Sequence, residues 1–522
     1  MSLVQARFCW ADGVTIQVLI TSTQNAGVLN LLNTTRTQHE QSWWARPAGG
    51  RDVLVVAMPL VISSLSWTMM TFVDRIFLFR ISGTAMAAAF FAAMVWFGIF
   101  CLPLGICSYA NTFVSQYFGD RRMNRIGPSM WQAVWLAFFS IPLAAVVIPM
   151  GPLIFRLANH GTETAQLECL YFQILCVGGP GMVIGQAFSS FYSGRGATWV
   201  VMVVDVVVTI VNLILDYLLI FGYGGFPEMG IAGAGLATTI ACWMKAAIYL
   251  FLVTRKKHRD EFHTLKGMRF DSQLFGRLLH YGGPSGAQMF LEVLGFTVFV
   301  LVVGRLGSLA AEATTLAFSI STLAFMPVFG FGMAASVLVG QRLGENRDDL
   351  AARATWTTLQ IGLTYIGILS CFYVITPDLF LYGFLDASTR SGADHAALRT
   401  MASNLLCFVA AYNLFDATLI IFVCALKGAG DTRFILRVSI VMAAILAAIS
   451  WLAVEVLHLG VYGCWVVISS WVCVLGITYL RRFMQGQWRE MRVIEAHDAG
   501  PSPGDALQNG QVFETIDAIT IR

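Results

Sequence analysis

The sequence predicts an all-α membrane protein: twelve transmembrane helices in two six-helix bundles related by a pseudo-twofold axis along the membrane normal. Three observations carry this expectation. Hydrophobic residues make up 57% of the 522-residue chain and charged residues 12%, with a mean hydropathy of +0.70, whereas about a quarter of the residues in a soluble domain are charged. Apolar runs long enough to cross a hydrocarbon core of about 30 Å, at roughly 1.5 Å per residue, succeed one another through most of the chain. The second half also repeats landmarks of the first.

The runs fall at 53–79, 86–113, 127–150, 165–192, 198–222, 230–254, 276–303, 310–340, 352–376, 397–426, 434–456 and 460–480. In lipid each must be a helix, because an open sheet would leave backbone groups unpaired. Residues 1–50 read as a dispensable, loosely structured cytoplasmic tail, since Gln17, Thr21, Ser22, Gln24, Asn25 and Asn30 interrupt the apolar run Val14–Leu32. Residues 51–255 then form the first bundle, 256–275 a basic linker, 276–485 the second bundle and 486–522 a cytoplasmic C-terminal tail.

Lys and Arg set the orientation. The side that carries both termini holds 26 of them, the opposite side holds six (Arg75, Arg80, Arg156, Arg305, Arg390 and Arg399), and Lys245 lies within a span. Both termini are therefore expected in the cytoplasm, with the chain multi-pass in the plasma membrane, the inner membrane of a Gram-negative cell.

The repeat runs at an offset of 225: Pro59 matches Pro284, Arg80 matches Arg305, and Gln116-x-x-Gly119-x-x-Arg122 matches Gln341-x-x-Gly344-x-x-Arg347. Further on, Gly194-x-Gly196-x-Thr198 matches Gly428-x-Gly430-x-Thr432, and Gly230 and Gly233 match Gly460 and Gly463. An even number of spans per repeat gives both halves the same orientation. A ligand cavity is then expected between them, near the membrane midplane.

Several function classes lose support. The eleven cysteines form no Cys-x-x-Cys pair and do not alternate with histidine as a zinc site requires. No nucleophile–base pair suggests an enzyme, no cofactor motif is present, and a net charge of +3 gives nucleic-acid binding no footing.

Six charged side chains lie well inside spans: Asp74, Asp205, Asp216, Lys245, Glu292 and Asp416. At the centre of a span an Asp or Lys costs about 2.5–3.5 kcal/mol, so each needs a partner, water or a task. Asp205 and Lys245 share a depth, which reads as a structural ion pair or a share in proton relay. Asn212 and Asp216 are four apart on one helical face, at the depth of Asp74. Two carboxylates and an amide carbonyl are hard oxygen ligands that suit a proton or a small cation. Thr238 or Thr239 is a further ligand candidate. In the second half Tyr412 and Asp416 are likewise four apart, and Glu292 with Asp416 would line a cavity for a cationic substrate or ion.

These stretches resemble the multidrug and toxic compound extrusion (MATE) family: MPLVISSLSWTMMTFVDRIF around Asp74, NLILDYLLIFG around Asp216, MFLEVLGF around Glu292 and AAYNLFDATLIIFVCALKGAGDTRF around Asp416, with VSQYFGDRR and VLVGQRLGENR. The likeness covers residues 51–485. It implies a secondary antiporter, functional as a monomer among membrane lipids, that exports organic, often cationic, compounds and drugs against inward sodium or protons. It carries functional roles onto Asp74, Asn212 and Asp216 in one half and onto Glu292, Tyr412 and Asp416 in the other, with Pro59 where the first helix bends. Three features depart from the family, one of them the tail before residue 51, which has no counterpart in it. Arg75 directly follows Asp74, which suggests partial neutralisation, and Arg80 stands where the family usually has glycine. A lipid-linked saccharide flippase of related architecture is the alternative; its pyrophosphate would call for more cationic residues, whereas acids outnumber Lys245 five to one within the spans.

Overall fold

The computed structural model describes residues 4–9, 15–20, 42–157, 161–385 and 393–495. Its body is helical. The spans are α1 (Gly50–Ile81), α2 (Gly83–Gly119), α3 (Met123–Arg156), α4 (Thr162–Ser193), α5 (Thr198–Phe221), α6 (Ile231–Val253), α7 (Ser272–Gly304), α8 (Ser308–Gly344), α9 (Asp348–Ile375), α10 (Ala393–Ala429), α11 (Thr432–Val456) and α12 (Val461–Met484). All twelve are long and apolar enough to cross a membrane.

Local chemistry explains the ends and breaks. Ser82 caps α2, its side chain accepting from the Ala85 amide at 2.9 Å, and Asp271 caps α7 by accepting from the amides of Gln273 and Leu274. Gly222, in the left-handed region at φ 70°, closes α5 as such a C-terminal glycine does. Pro59 lies inside α1 and Pro284 inside α7, each removing one intrahelical hydrogen bond without ending the helix.

The packing repeats as the sequence does. In the first bundle α1 packs on α5, α2 on α4, and α4 on α6; in the second α7 packs on α11, α8 on α10, and α10 on α12. The bundles meet where α1 lies against α8 and α2 against α7, the two contacts a pseudo-twofold axis exchanges.

Close approach at this seam depends on the repeated residues. A Cβ on Gly119 would stand 2.0 Å from the Gln341 carbonyl oxygen, and one on Gly344 would stand 2.2 Å from that of Gln116. The Gln116 amide donates to the Gly428 carbonyl at 3.0 Å, and its counterpart Gln341 donates to the Gly194 carbonyl at 2.9 Å. Nearer mid-membrane a Cβ on Gly105 would meet the Gly286 Cα at 2.8 Å, and one on Gly330 the Val61 Cα at 2.7 Å. Ser64 on α1 donates to the Met326 carbonyl on α8 at 2.9 Å. The half of the seam nearest the termini is thus closed backbone to backbone.

Both tails carry ordered contacts. The N-terminal one is not simply loose: Val4–Cys9 (β1) pairs antiparallel with Thr15–Ile20 (β2), in register from Val4 opposite Ile20 to Cys9 opposite Thr15. Residues 21–41 of the run Val14–Leu32 and its surroundings lie outside the described residues. The end of this tail is bound to the second bundle, where Trp43 donates to Gln360 at 2.7 Å and the Ala48 carbonyl accepts from Thr357 at 3.0 Å, both on α9. The start of the C-terminal tail packs across the seam; residues 496–522 lie outside the described residues.

Candidate cation and substrate site

Four side chains from three helices converge in the first bundle. Asp74 comes from α1, Asn212 and Asp216 from successive turns of α5, and Thr238 from α6. All four are buried, Asn212 and Asp216 to zero exposure. Asp74 interacts with both Asp216 and Thr238. Even so, Asp74 Oδ1, both polar atoms of Asn212, both carboxylate oxygens of Asp216 and Thr238 Oγ1 are buried with no hydrogen-bond partner at ordinary geometry within the chain. Leaving a buried polar group unpaired costs about 1–3 kcal/mol, more when it is charged. Two ionised carboxylates in one buried cluster also repel, and a cation between them removes that repulsion. Carboxylate, amide and hydroxyl oxygens form the hard donor set that a proton or a small cation takes.

Thr239, the other threonine candidate, is committed elsewhere: its hydroxyl donates to the Ile174 carbonyl at 2.9 Å. Tyr171 on α4 is a buried neighbour of Asp74 and Asp216 that sequence reasoning did not single out. Nothing in its local sequence distinguishes it from other span tyrosines.

Arg75, which directly follows Asp74, turns its guanidinium elsewhere. Consecutive helix residues point about 100° apart, and the guanidinium lies over the Phe90 ring, 5.0 Å from its centroid. Its positive charge still acts on Asp74, in the direction of partial neutralisation.

Asp205 and Lys245 form an ion pair, Nζ to Oδ1 2.6 Å, between α5 and α6. The other Asp205 oxygen accepts from Ser63 on α1, so the carboxylate ties three helices of the first bundle together.

In the second bundle Glu292 projects from α7 as an exposed side chain and Asp416 from α10 as a half-buried one. The two carboxylates act on each other electrostatically, and the Lys427 ammonium acts on Glu292. Gln288, one turn before Glu292, donates its amide to that carboxylate. The i, i+4 spacing would have revealed this partner had neutral residues been weighed with charged ones. Tyr412 is buried, and its hydroxyl shares a 3.0 Å hydrogen bond with Ser321 on α8. It therefore packs toward α8, one turn from Asp416. Lys427, counted from sequence with the loop cations, lies in the last turn of α10.

Among the described residues no cluster of three or more His, Cys, Asp or Glu is arranged to hold a metal ion.

Comparison with known proteins agrees with this architecture. A family profile described as MatE matches residues 59–218 and 284–452. The multidrug resistance protein MdtK of Yersinia enterocolitica is 30% identical over 395 residues, 74% of this chain and 83% of MdtK; that of Yersinia pestis is 30% identical over 389 residues, with the same coverage. Among solved structures, one described as the outward-facing conformation of a multidrug resistance MATE family transporter superposes with a TM-score of 0.77 at 18% identity, covering 85% of this chain and 97% of its own. A transporter of the MOP superfamily from Pyrococcus furiosus gives 0.76 at 17% identity, covering 85% and 97%.

Proposed function

Because the chain belongs to the MatE family, we propose that it is a multidrug efflux transporter that works as a secondary antiporter, exchanging organic, cationic and amphiphilic compounds for inward sodium ions or protons. The observation that supports this most directly is the buried cluster of Asp74, Asn212, Asp216 and Thr238, whose polar atoms are left without hydrogen bonds of ordinary geometry within the chain. A cation entering there satisfies them and cancels the repulsion between the carboxylates. Glu292 and Asp416 offer the second bundle's negative charge to a cationic substrate.

The cycle follows from charge. Each elementary charge moved down 100 mV supplies about 2.3 kcal/mol, enough to move one substrate uphill by tens of fold. Ion and substrate favour different states of the carboxylates, so occupancy of one displaces the other while the bundles rock about the α1–α8 and α2–α7 seam. The orientation proposed from the Lys and Arg count puts the closed half of that seam on the cytoplasmic side. The excess of acids over Lys245 within the spans weighs against a pyrophosphate-carrying flippase.

Ethidium efflux from proteoliposomes, driven separately by a sodium gradient and by a pH gradient, identifies the ion. Asp74→Asn, Glu292→Gln and Asp416→Asn each lower ion-driven efflux at least ten-fold in folded protein. Wild-type rates in all three variants refute the assignment.

A further inference from the structure

Beyond α12 the chain does not leave the protein. Gly486, at φ 76°, reverses it, and Trp488 is buried with its ring stacked on Phe483 at 4.7 Å. Arg489 pairs with Asp348 at the start of α9, 2.9 Å away. These contacts are all with the second bundle. The next residues cross the seam. Val493 is fully buried, and its amide donates to the Gln116 side-chain oxygen on α2 at 2.9 Å. Its carbonyl accepts from Arg277 at the start of α7.

Glu495 ends in a basic pocket. Its carboxylate accepts from the Tyr117 hydroxyl at 2.6 Å and pairs with Arg277 at 2.7 Å, Arg125 at 3.1 Å and Arg122 at 3.7 Å, and its backbone carbonyl accepts from Arg122 at 3.2 Å. Tyr117, Arg122 and Arg125 belong to the first bundle. Gln116 is shared, since the same amide group that holds Gly428 across the seam also receives the Val493 amide.

The equivalent segment of the first half behaves differently. After α6 the chain packs under its own bundle: Trp131 on α3 donates to the Thr264 carbonyl at 2.5 Å, and the Gly127 amide to that of Phe262 at 3.2 Å. The segment after α12 is therefore anchored on the second bundle and inserted into the first, alongside the stretch before α1, which joins α9 through Trp43 and Ala48.

We propose that residues 487–495 are a latch that holds the two bundles together at the end bearing the termini and must release the first bundle whenever the site opens to that side. The latch rests on the alternating-access reading above. Withdrawal of Val493 and Glu495 would then be part of the transport cycle, and weakening their contacts shifts the resting balance between the closed and open states of that end.

The test is the distance between spin labels on Lys257→Cys, in the short helix that follows the first bundle, and Arg353→Cys in the second, both exposed, in a background with Cys9, Cys371 and Cys407 replaced by serine. Pulsed dipolar spectroscopy reads the ratio of separated to closed bundles in detergent and in lipid. Hydrogen bonds to a charged group bias an equilibrium by on the order of ten-fold, less where solvent reaches them. Glu495→Gln is expected to raise the ratio about five-fold, and a chain ending at Met491, which keeps the Trp488 stack, to raise it at least as much. An unchanged ratio in both variants, with each monodisperse and melting as a folded protein, overturns the latch. Ion-driven ethidium efflux by the unmodified protein tests the transport reading independently, so failure of either idea is separable from failure of the other.

Discussion

The perturbation that bears most directly on the seam is Gly119→Ala. Its new Cβ would lie 2.0 Å from the Gln341 carbonyl oxygen and 2.9 Å from the carbonyl carbon, whereas ordinary contact begins at 3.4 Å. The obstacle is backbone on a facing helix, so no rotamer relieves it. Either the two bundles separate locally by about 1.4 Å or a helix end unwinds. Such separation stretches the reciprocal bonds of Gln116 and Gln341, and overpacking of this kind costs about 1–3 kcal/mol. The cost falls on the closed conformation alone, so the ratio of open to closed bundles should rise by roughly 5- to 150-fold. Spin-label distances across the seam measure the ratio, and ethidium efflux reports the consequence, a transporter that resets poorly. Gly344→Ala, whose Cβ would meet the Gln116 carbonyl oxygen at 2.2 Å, should behave alike. Gly283→Ala serves as the control, because nothing lies within 4 Å of its added Cβ. Distances and efflux in Gly119→Ala matching those of Gly283→Ala would refute the reasoning.

Further outcomes follow from other contacts. Thr238→Val should raise the ion concentration needed for half-maximal efflux several-fold with little change in stability, whereas Thr239→Val, which loses its bond to the Ile174 carbonyl, should lower stability by about 1 kcal/mol and leave ion dependence alone; ion titrations and thermal melts separate the two. Lys245→Met removes the partner of a carboxylate in the membrane interior and should lower the melting temperature, with Asp205→Asn in the same chain recovering part of the loss; equal melting of the single and double variants would contradict the structural role. His258 sits in the short helix Lys256–Glu261, against Phe191, Tyr192 and Phe262. Burial, then Arg195, Lys257 and Arg255, push it down to about 4 from 6.5. The unfolded chain takes up that proton first, so the stability His258 confers is fully present above pH 6.5 and is lost as pH falls toward about 4. His258→Gln should flatten the melting profile over that interval.

The sequence revealed what is periodic or costly. Twelve runs and a 225-residue repeat are properties of hydropathy and spacing, and a charge within a span announces itself by its expense. Asp205 and Lys245, 2.6 Å apart, were readable as partners because depth alone matched them. Directions around a helix were less legible. Adjacency in the chain places Arg75 beside Asp74, yet it does not say that the guanidinium lies over Phe90. Partners supplied by another helix, such as Ser63 for Asp205 and Ser321 for Tyr412, carry no local signature. Nor does Glu495, to which three arginines and a tyrosine from distant stretches give a place.

The interlock of Gly119 with Gln341 and of Gly344 with Gln116 constrains how the two halves diverge. In a pair of identical half-length chains a single codon would write both sides of such a contact, and any change would be met by its own image. Here the knob and its socket belong to different codons of one gene. A bulkier residue at one glycine then needs a compensating shift in the opposite backbone, which no side-chain substitution supplies. These four positions are therefore expected to be among the slowest to change, while the strap after α12, held by Gln116, Tyr117, Arg122 and Arg125, is free to elaborate the difference between the halves.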